Sequence, residues 1–494
     1  KMAARLRPFI DLTPRTRQAS LAFSRAGARR GLSGAAMIQT DNPYTGEIAC
    51  SVPVVGPEGA MRLVEQSAAA QREWAISPLE KRIETVKGMM AYFEANKDTI
   101  AADISMMMGK PLNQAKGEIG GVTERGNAFC DLAPAALADD MLPEKEGFFR
   151  KIAREPVGVV LSIAPWNYPL LTGVNSIIPG VLSGNSVLVK HSPRTPLCAD
   201  HFEKAFLEAG APEGLVKALH VENETVESVI QATQVGTVSF TGSVATGHKV
   251  YSSVAKRFID CTLELGGKDA AYVADDANLD QAVETLVDGA FYNAGQSCCG
   301  IERIYVAESL YEVFLEKASK IVSSYVLGDP FDPNTTMGPV AMPDQPAFLH
   351  AQVDDAKAKG ARVLNGGSPA SDAAGKGRFF LPTIVADCSH DMDIMREESF
   401  GPVVAVMPVK DDEHALTLMN DSKYGLTAVL FTTSAERAHA MTPQLEAGTV
   451  FMNRCDYLDP LLPWSGVKDT GKGVSLSMHG FRAYNRLKGY HFKL

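Results

Sequence analysis

The chain has 494 residues, too many for one ordinary hydrophobic core, so two or three domains are expected. Hydrophobic residues make up 45% and charged residues 21%, the balance of a soluble globular protein, which excludes disordered and membrane-embedded classes. The formal net charge is -10, but residues 1–37 hold eight basic side chains against Asp11 alone, giving +7 there and -17 on the remainder; so acidic a body excludes nucleic acid as the main partner.

The leader, residues 1–37, is Arg-rich, contains Ser and is poor in acids, the composition of a mitochondrial or plastid transit segment. The mitochondrial matrix is the expected location, with cytoplasm or plastid as alternatives and a disordered basic tail as the plain reading. Residues 41–47 form a turn cluster. Helical patterns run from 58 to 129, broken near Pro78, Gly109 and Pro111. A charged span at 143–147 leads into 148–156, which reads as an exposed hairpin or edge strand. Residues 157–189 carry no charge and are long enough to cross a bilayer. Pro165, Pro169, Pro179 and several Gly and Asn residues would strand backbone groups in lipid, so no membrane span is expected.

From Val157 strands alternate with helices: strands at 158–163, 185–190, 215–221 and 237–240, helices at 197–209, 225–232 and 242–255. That grammar predicts parallel strands in an open doubly wound sheet, with ligands beyond the carboxyl ends of the strands. A second alternating section runs from 269 to about 451, and the basic, aromatic tail 484–494 is expected to close a subunit contact. The eight cysteines are scattered without a CxxC pair, so neither metal site nor disulfide framework is expected.

Several residues carry chemistry in this setting. Cys298 and Cys299 sit in a glycine-punctuated turn, 291–300, between a helix and a strand. Such turns hold nucleophiles, although a free cysteine more often simply packs. Glu264 lies among apolar neighbours in 263–268, where burial raises a carboxylate toward general-base range; a charge satisfied by Lys268 or by backbone amides is the alternative. Asn167, between Pro165 and Pro169, is placed to donate to an oxyanion or simply to form a turn. Gly242, Ser243 and Gly247 follow a strand and open a helix, a setting that attracts phosphate although the spacing is not GxGxxG. Lys190 closes a strand where a cation can meet ribose or phosphate, and Glu398 with Phe400 offers a carboxylate and a ring two residues apart.

In combination, Pro165-Trp166-Asn167, Lys190, Phe240-Thr241-Gly242-Ser243, Glu264-Leu265-Gly266-Gly267-Lys268, Gly295-Gln296-Ser297-Cys298, Glu398-Ser399-Phe400-Gly401-Pro402 and residues 463–473 resemble the aldehyde dehydrogenase superfamily, from about Asn42 to the end. The resemblance implies an α/β fold: a doubly wound parallel-sheet cofactor domain (38–142 and 158–265), a second α/β catalytic domain (266–476) and a small β oligomerisation element (143–157 and 477–494), hence a homodimer or homotetramer. It implies oxidation of a small-molecule aldehyde with NAD, NADP being tolerated. Cys298 would be the nucleophile, Asn167 and the Cys298 N–H the oxyanion donors, and Glu264 the base for hydrolysis. Lys190 and Glu398 would hold the riboses, Phe400 the nicotinamide side, and Gly242 to Gly247 the pyrophosphate, with Trp166 beside the cofactor.

Pro193 stands where NAD-preferring relatives often have a glutamate that repels a 2'-phosphate, and Arg194 follows it. The pocket segment 454–459, with Trp464, suits a medium-sized apolar or amino-substituted aldehyde; Asp456 and Asp459 either disfavour carboxylated ones or simply satisfy loop backbone or pair with Arg454. Glu264 argues against a coenzyme A acylating semialdehyde dehydrogenase, whose kind generally lacks it. The same residues also admit a catalytically silent member serving as a structural or binding protein, and a cysteine hydrolase, for which no Cys-His pair is evident.

Overall fold

The computed structural model describes residues 36–494; the leader expectation falls almost wholly on residues outside these. Strands β1 (Met37–Asp41) and β2 (Ile48–Pro53) pair antiparallel around the Asn42–Gly46 turn. The Asn42 side chain closes it by accepting from the Tyr44 N–H at 2.8 Å. Helices α1 (Pro57–Trp74), α2 (Leu79–Ala95), α3 (Lys97–Met108) and α4 (Leu112–Ala136) follow, with breaks at Pro78, Gly109 and Pro111 as expected. Helix α4 continues past residue 129. Its buried positions Glu118, Val122, Arg125 and Phe129 recur at helical spacing, so two charged side chains face inward.

Strand β3 (Asp140–Met141) and the long β4 (Phe148–Pro156) come next. The following section alternates: β5 (Val159–Ala164), α5 (Pro169–Leu182), β6 (Ser186–His191), α6 (Leu197–Glu208), β7 (Val216–Ala218), α7 (Asn223–Gln231), β8 (Val235–Thr241), α8 (Val244–Val254) and β9 (Asp260–Glu264). After it come β10 (Asp269–Val273), α9 (Leu279–Phe291), β11 (Ile301–Ala307), α10 (Tyr311–Val322), α11 (Gln345–Ala358), β12 (Arg362–Val363), β13 (Pro369–Ala370), β14 (Phe379–Phe380) and β15 (Thr383–Ala386). The chain closes with α12 (Asp393–Arg396), β16 (Val403–Val409), α13 (Asp412–Asn420), β17 (Thr427–Phe431), α14 (Ala435–Met441), β18 (Thr449–Met452), β19 (Gly471–Lys472) and β20 (Asn485–Lys493).

Two large sheets result. The first has the order β19-β9-β8-β5-β6-β7, parallel throughout except where β19 returns antiparallel to β9. The order changes direction beside β5, the first strand in sequence, so helices pack on both faces of a doubly wound sheet. The second has the order β12-β15-β16-β11-β10-β17-β18, parallel except for β12. Residues 157–189 form β5, α5 and β6, buried among α2, α4 and α6. Among the described residues no helix is long and apolar enough to cross a membrane.

Residues 148–156 form a hairpin with β3, as one of the two readings has it, but they are not an edge strand. β4 is the middle of a third, antiparallel sheet, β20-β4-β3, paired along its whole length with the C-terminal strand. Its mixed polar and apolar pattern, which suggested an edge, comes from a sheet with little cover on either face.

Candidate active site

Helix α9 delivers the chain into a turn of unusual backbone. Asn293, Ala294 and Gly295 take φ of 53°, 54° and 67°, three successive left-handed residues. Gly295 has no alternative, since a Cβ there would lie 2.1 Å from the Gly401 carbonyl oxygen. The strain is held by amides. Asn293 Nδ2 donates to the Asn167 and Gln296 carbonyls at 3.2 and 3.1 Å, and the Gln296 side chain bridges the Asn293 carbonyl and the Ala341 N–H.

Beyond this turn Cys298 is half-buried and lines a cavity of about 380 Å³. The Cys298 N–H donates to no backbone carbonyl among the described residues. Glu264, at the end of β9 in the other large sheet, lines the same cavity. Burial raises its pKa, opposed by a hydrogen bond from the Ser475 hydroxyl and by the charge of Arg125. Asn167 is buried behind the lining, its Nδ2 donating to the Gln296 carbonyl at 3.1 Å. An amide nitrogen carries two protons, so one remains for another acceptor.

Cys299 also reaches the cavity but is tied back. Its Sγ donates to Asp456 Oδ1 at 3.0 Å, and its pKa is pushed well up, first by its hydrogen bond with Cys298 and then by burial.

Of the expected cofactor residues, Trp166, Lys190, Pro193 and Gly242 to Gly247 sit along the carboxyl ends of the first sheet, whereas Glu398 and Phe400 lie on the loop before β16 of the second. Lys190 is the penultimate residue of β6, buried enough to lower its pKa, and donates to Asn223 Oδ1 at 3.0 Å, with Glu222 supplying an opposing charge. The N-terminal turn of α8 is open to solvent at Ser243, Ala245 and Thr246, with Ser243 as cap. Gly247 is buried, and a Cβ there would meet Leu265 at 2.6 Å, so its smallness serves the packing of α8 on the chain beyond β9. Glu398 accepts from the Gly267 N–H at 2.9 Å, and burial pushes its carboxyl to about 8. Phe400, at φ 50°, meets Trp166 edge-on with ring centres 5.5 Å apart.

A buried lysine at a strand end beside an open helix N-terminus fits a diphosphate flanked by ribose. Pro193 is exposed, with its carbonyl taken by the Thr40 hydroxyl at 2.7 Å. Arg194 is turned into an ion pair with Asp41, which leaves it unavailable to a 2'-phosphate.

The description "Aldehyde dehydrogenase family" belongs to the family model that matches residues 32–489. This chain belongs to the aldehyde dehydrogenase family. It is 35% identical to the succinate semialdehyde dehydrogenase [NAD(P)+] Sad of Escherichia coli K12, covering 90% of this chain and 95% of that protein. It is 32% identical to the betaine aldehyde dehydrogenase of Agrobacterium fabrum over 90% of each. Among solved structures, succinic semialdehyde dehydrogenase from Streptococcus pyogenes in complex with NADP+ matches with a TM-score of 0.88 and 31% identity, covering 92% of this chain and 100% of that one.

Around the site of this aldehyde dehydrogenase lie supports that sequence reasoning missed. Lys268, weighed as a partner for Glu264, instead pairs with Glu302 at 2.6 Å in the interior. Glu302 in turn accepts from the Ser399 and Phe400 N–H groups at 2.8 Å each, which sets the loop carrying Glu398 and Phe400. A carboxylate inside the apolar strand 301–307 was the available signal, since a buried charge needs a partner. Glu118 is paired with Lys110 at 2.7 Å and caps the start of α5 through the Leu170 and Leu171 N–H groups. Arg125 and Ser475 carried no motif, and nothing local in sequence marks either as facing Glu264.

Proposed function

We propose that this aldehyde dehydrogenase oxidises an aldehyde to the carboxylic acid with NAD(P)+ through Cys298 and Glu264. The reading is carried by one observation: a half-buried thiol and a half-buried carboxylate, delivered from the two large sheets, open on one cavity. The Cys298 thiol loses its proton to solvent, the resulting thiolate sulfur bonds to the aldehyde carbon as the carbonyl π bond opens, and the oxygen takes the negative charge. The second Asn167 amide proton and the Cys298 N–H are the donors for that oxygen. Lys190, Glu398, Trp166 and Phe400 would hold a nicotinamide cofactor, which would supply the hydride acceptor that turns the Cys298 adduct into a thioester. Glu264 then takes a proton from the attacking water, the C–S bond breaks, and the acid leaves. Burial makes Glu264 a stronger base than an exposed carboxylate, which suits this step near neutral pH.

Lys190 and Glu398 hold the riboses, and the edge-on pair of Trp166 and Phe400 bounds the nicotinamide side. The third sheet exposes Met141, Leu487 and Phe492, which supports its role as the contact of a homodimer or homotetramer. Light scattering reads that state directly. A matrix location rests on leader composition alone, since the family match begins at residue 32; imaging a fusion of residues 1–37 to a fluorescent reporter tests it.

The reaction is tested by following cofactor reduction with a panel of aldehydes and both NAD+ and NADP+. Turnover that releases free acid without coenzyme A is expected. Absence of turnover with every aldehyde and both cofactors overturns the proposal.

A further inference from the structure

We propose that the aldehyde oxidised here carries a carboxylate, and that Arg125 is the residue that holds it. This rests on the aldehyde-oxidising reading of the cavity and names its substrate class. Arg125 projects from the buried face of α4 and is 7% exposed, yet it lines the cavity that Cys298 and Glu264 share. Its Nη1 donates to the Leu171 carbonyl at 2.7 Å and to Asn175 Oδ1 at 3.0 Å. Nε and Nη2 meet no protein acceptor among the described residues, and no carboxylate bonds to the guanidinium. A buried cation without a bonded anion is costly, and burial lowers its pKa accordingly. A guanidinium fork open to a cavity is what a planar carboxylate completes, with two parallel N–H···O bonds.

The acids around the cavity suggest the opposite, an ammonium-bearing substrate, until their partners are counted. Glu118 is neutralised by Lys110 and bonded by two N–H groups. Glu124 accepts from the Tyr457 hydroxyl at 2.7 Å, and Glu264 from Ser475. Asp456 accepts from the Cys299 thiol, and burial pushes its carboxyl to about 7, so it is half neutral at neutral pH. Asp459 lies outside the lining and caps the Leu461 N–H. Asp288 keeps an uncommitted carboxylate at the solvent-facing side of the lining, and partial desolvation raises its pKa, which disfavours its charged form. The uncommitted charged donor inside the cavity is therefore Arg125. Tyr168, Leu171 and Trp464 supply apolar wall for the methylenes between the two ends of such a substrate.

The experiment compares kcat/KM for short ω-oxo carboxylates with that for their methyl esters, which keep the aldehyde and lose the charge. The acid is expected to be favoured by roughly 100-fold, the scale of a desolvated bidentate pair. In Arg125→Gln that ratio should fall close to unity, with Arg125→Lys between. Because Arg125 also lowers the pKa of Glu264, its loss alters hydrolysis for both substrates, and the ratio cancels that shared effect. Should Arg125→Gln fail to fold, short dicarboxylates should protect Cys298 of the unaltered enzyme from alkylation by iodoacetamide, whereas the matching diesters should not. An unaltered enzyme that does not prefer the acid, a ratio unmoved by Arg125→Gln, or equal protection by diesters overturns the assignment. No turnover of acid or ester would instead overturn the aldehyde-oxidising reading itself.

Discussion

Replacing Glu264 by Gln removes one proton acceptor while keeping nearly everything else. The amide is isosteric, its oxygen still accepts from Ser475, and the end of β9 stays fixed because the Glu264 carbonyl accepts from the Gly242 N–H at 3.0 Å. Addition of Cys298 to the aldehyde and hydride removal do not use this carboxylate. Only thioester hydrolysis does, and a positioned general base contributes about 10²–10⁴-fold to such a step. Hydrolysis slowed by that factor becomes rate-limiting, so mixing Glu264→Gln with aldehyde and cofactor should give a burst of reduced cofactor close to one per active site, then a slow steady rate. Intact mass spectrometry should show the protein heavier by the acyl group. Thermal stability should not fall, because a neutral amide escapes the desolvation that raises the Glu264 pKa. Linear turnover at the original rate with no acyl-enzyme would refute the role assigned to Glu264.

Cys298→Ser should abolish oxidation, whereas Cys299→Ser should retain most of it, since the Cys299 thiol is held protonated against Asp456; progress curves with purified variants distinguish them, and the reverse pattern would move the nucleophile by one residue. Glu398→Gln should change how cofactor-free stability depends on pH. Its native carboxyl titrates at about 8 against an ordinary 4.5, so the native state holds the extra proton and stability falls as pH rises between those values. The glutamine variant lacks that slope, so denaturant titrations should show it gaining, relative to the unaltered protein, up to about 3 kcal/mol between pH 4.5 and 7. Equal differences at both pH values would contradict the shift. The same variant should raise KM for the cofactor.

The parallel sheet was legible because its signals are local. Uncharged β5 and β6, separated by a helix and punctuated by Pro and Gly, dictate buried strands with a crossover whatever the rest of the chain does. The glycine-punctuated turn between α9 and β11 was legible because Gly295 interrupts the pattern, whereas the left-handed backbone at Ala294 carries no signal in its residue type. The position of β4 was not, because edge and centre differ in what lies beside a strand, and its partner β20 is at the far end of the chain.

Site electrostatics follow the same division. Glu264 could be suspected from its apolar neighbours, whose burial raises its pKa, but Ser475 and Arg125, which oppose that rise, arrive from positions distant in sequence. The two acids of the pocket segment could be read as disfavouring carboxylated substrates or as loop groups with partners of their own, and sequence does not choose between these. Asp456 is answered by Cys299, a residue that sequence reasoning left as plain core, and Asp459 by its own loop. Helical spacing alone put Arg125 on the face of α4 that also carries Glu118, Val122 and Phe129, and such a face is ordinarily core. A guanidinium at a core position needs an acceptor; α5 offers one carbonyl and one amide oxygen, both to the same nitrogen. Because Arg125 lines the cavity with donors that α5 leaves unbonded, the proposed substrate carboxylate has no counterpart in any sequence motif.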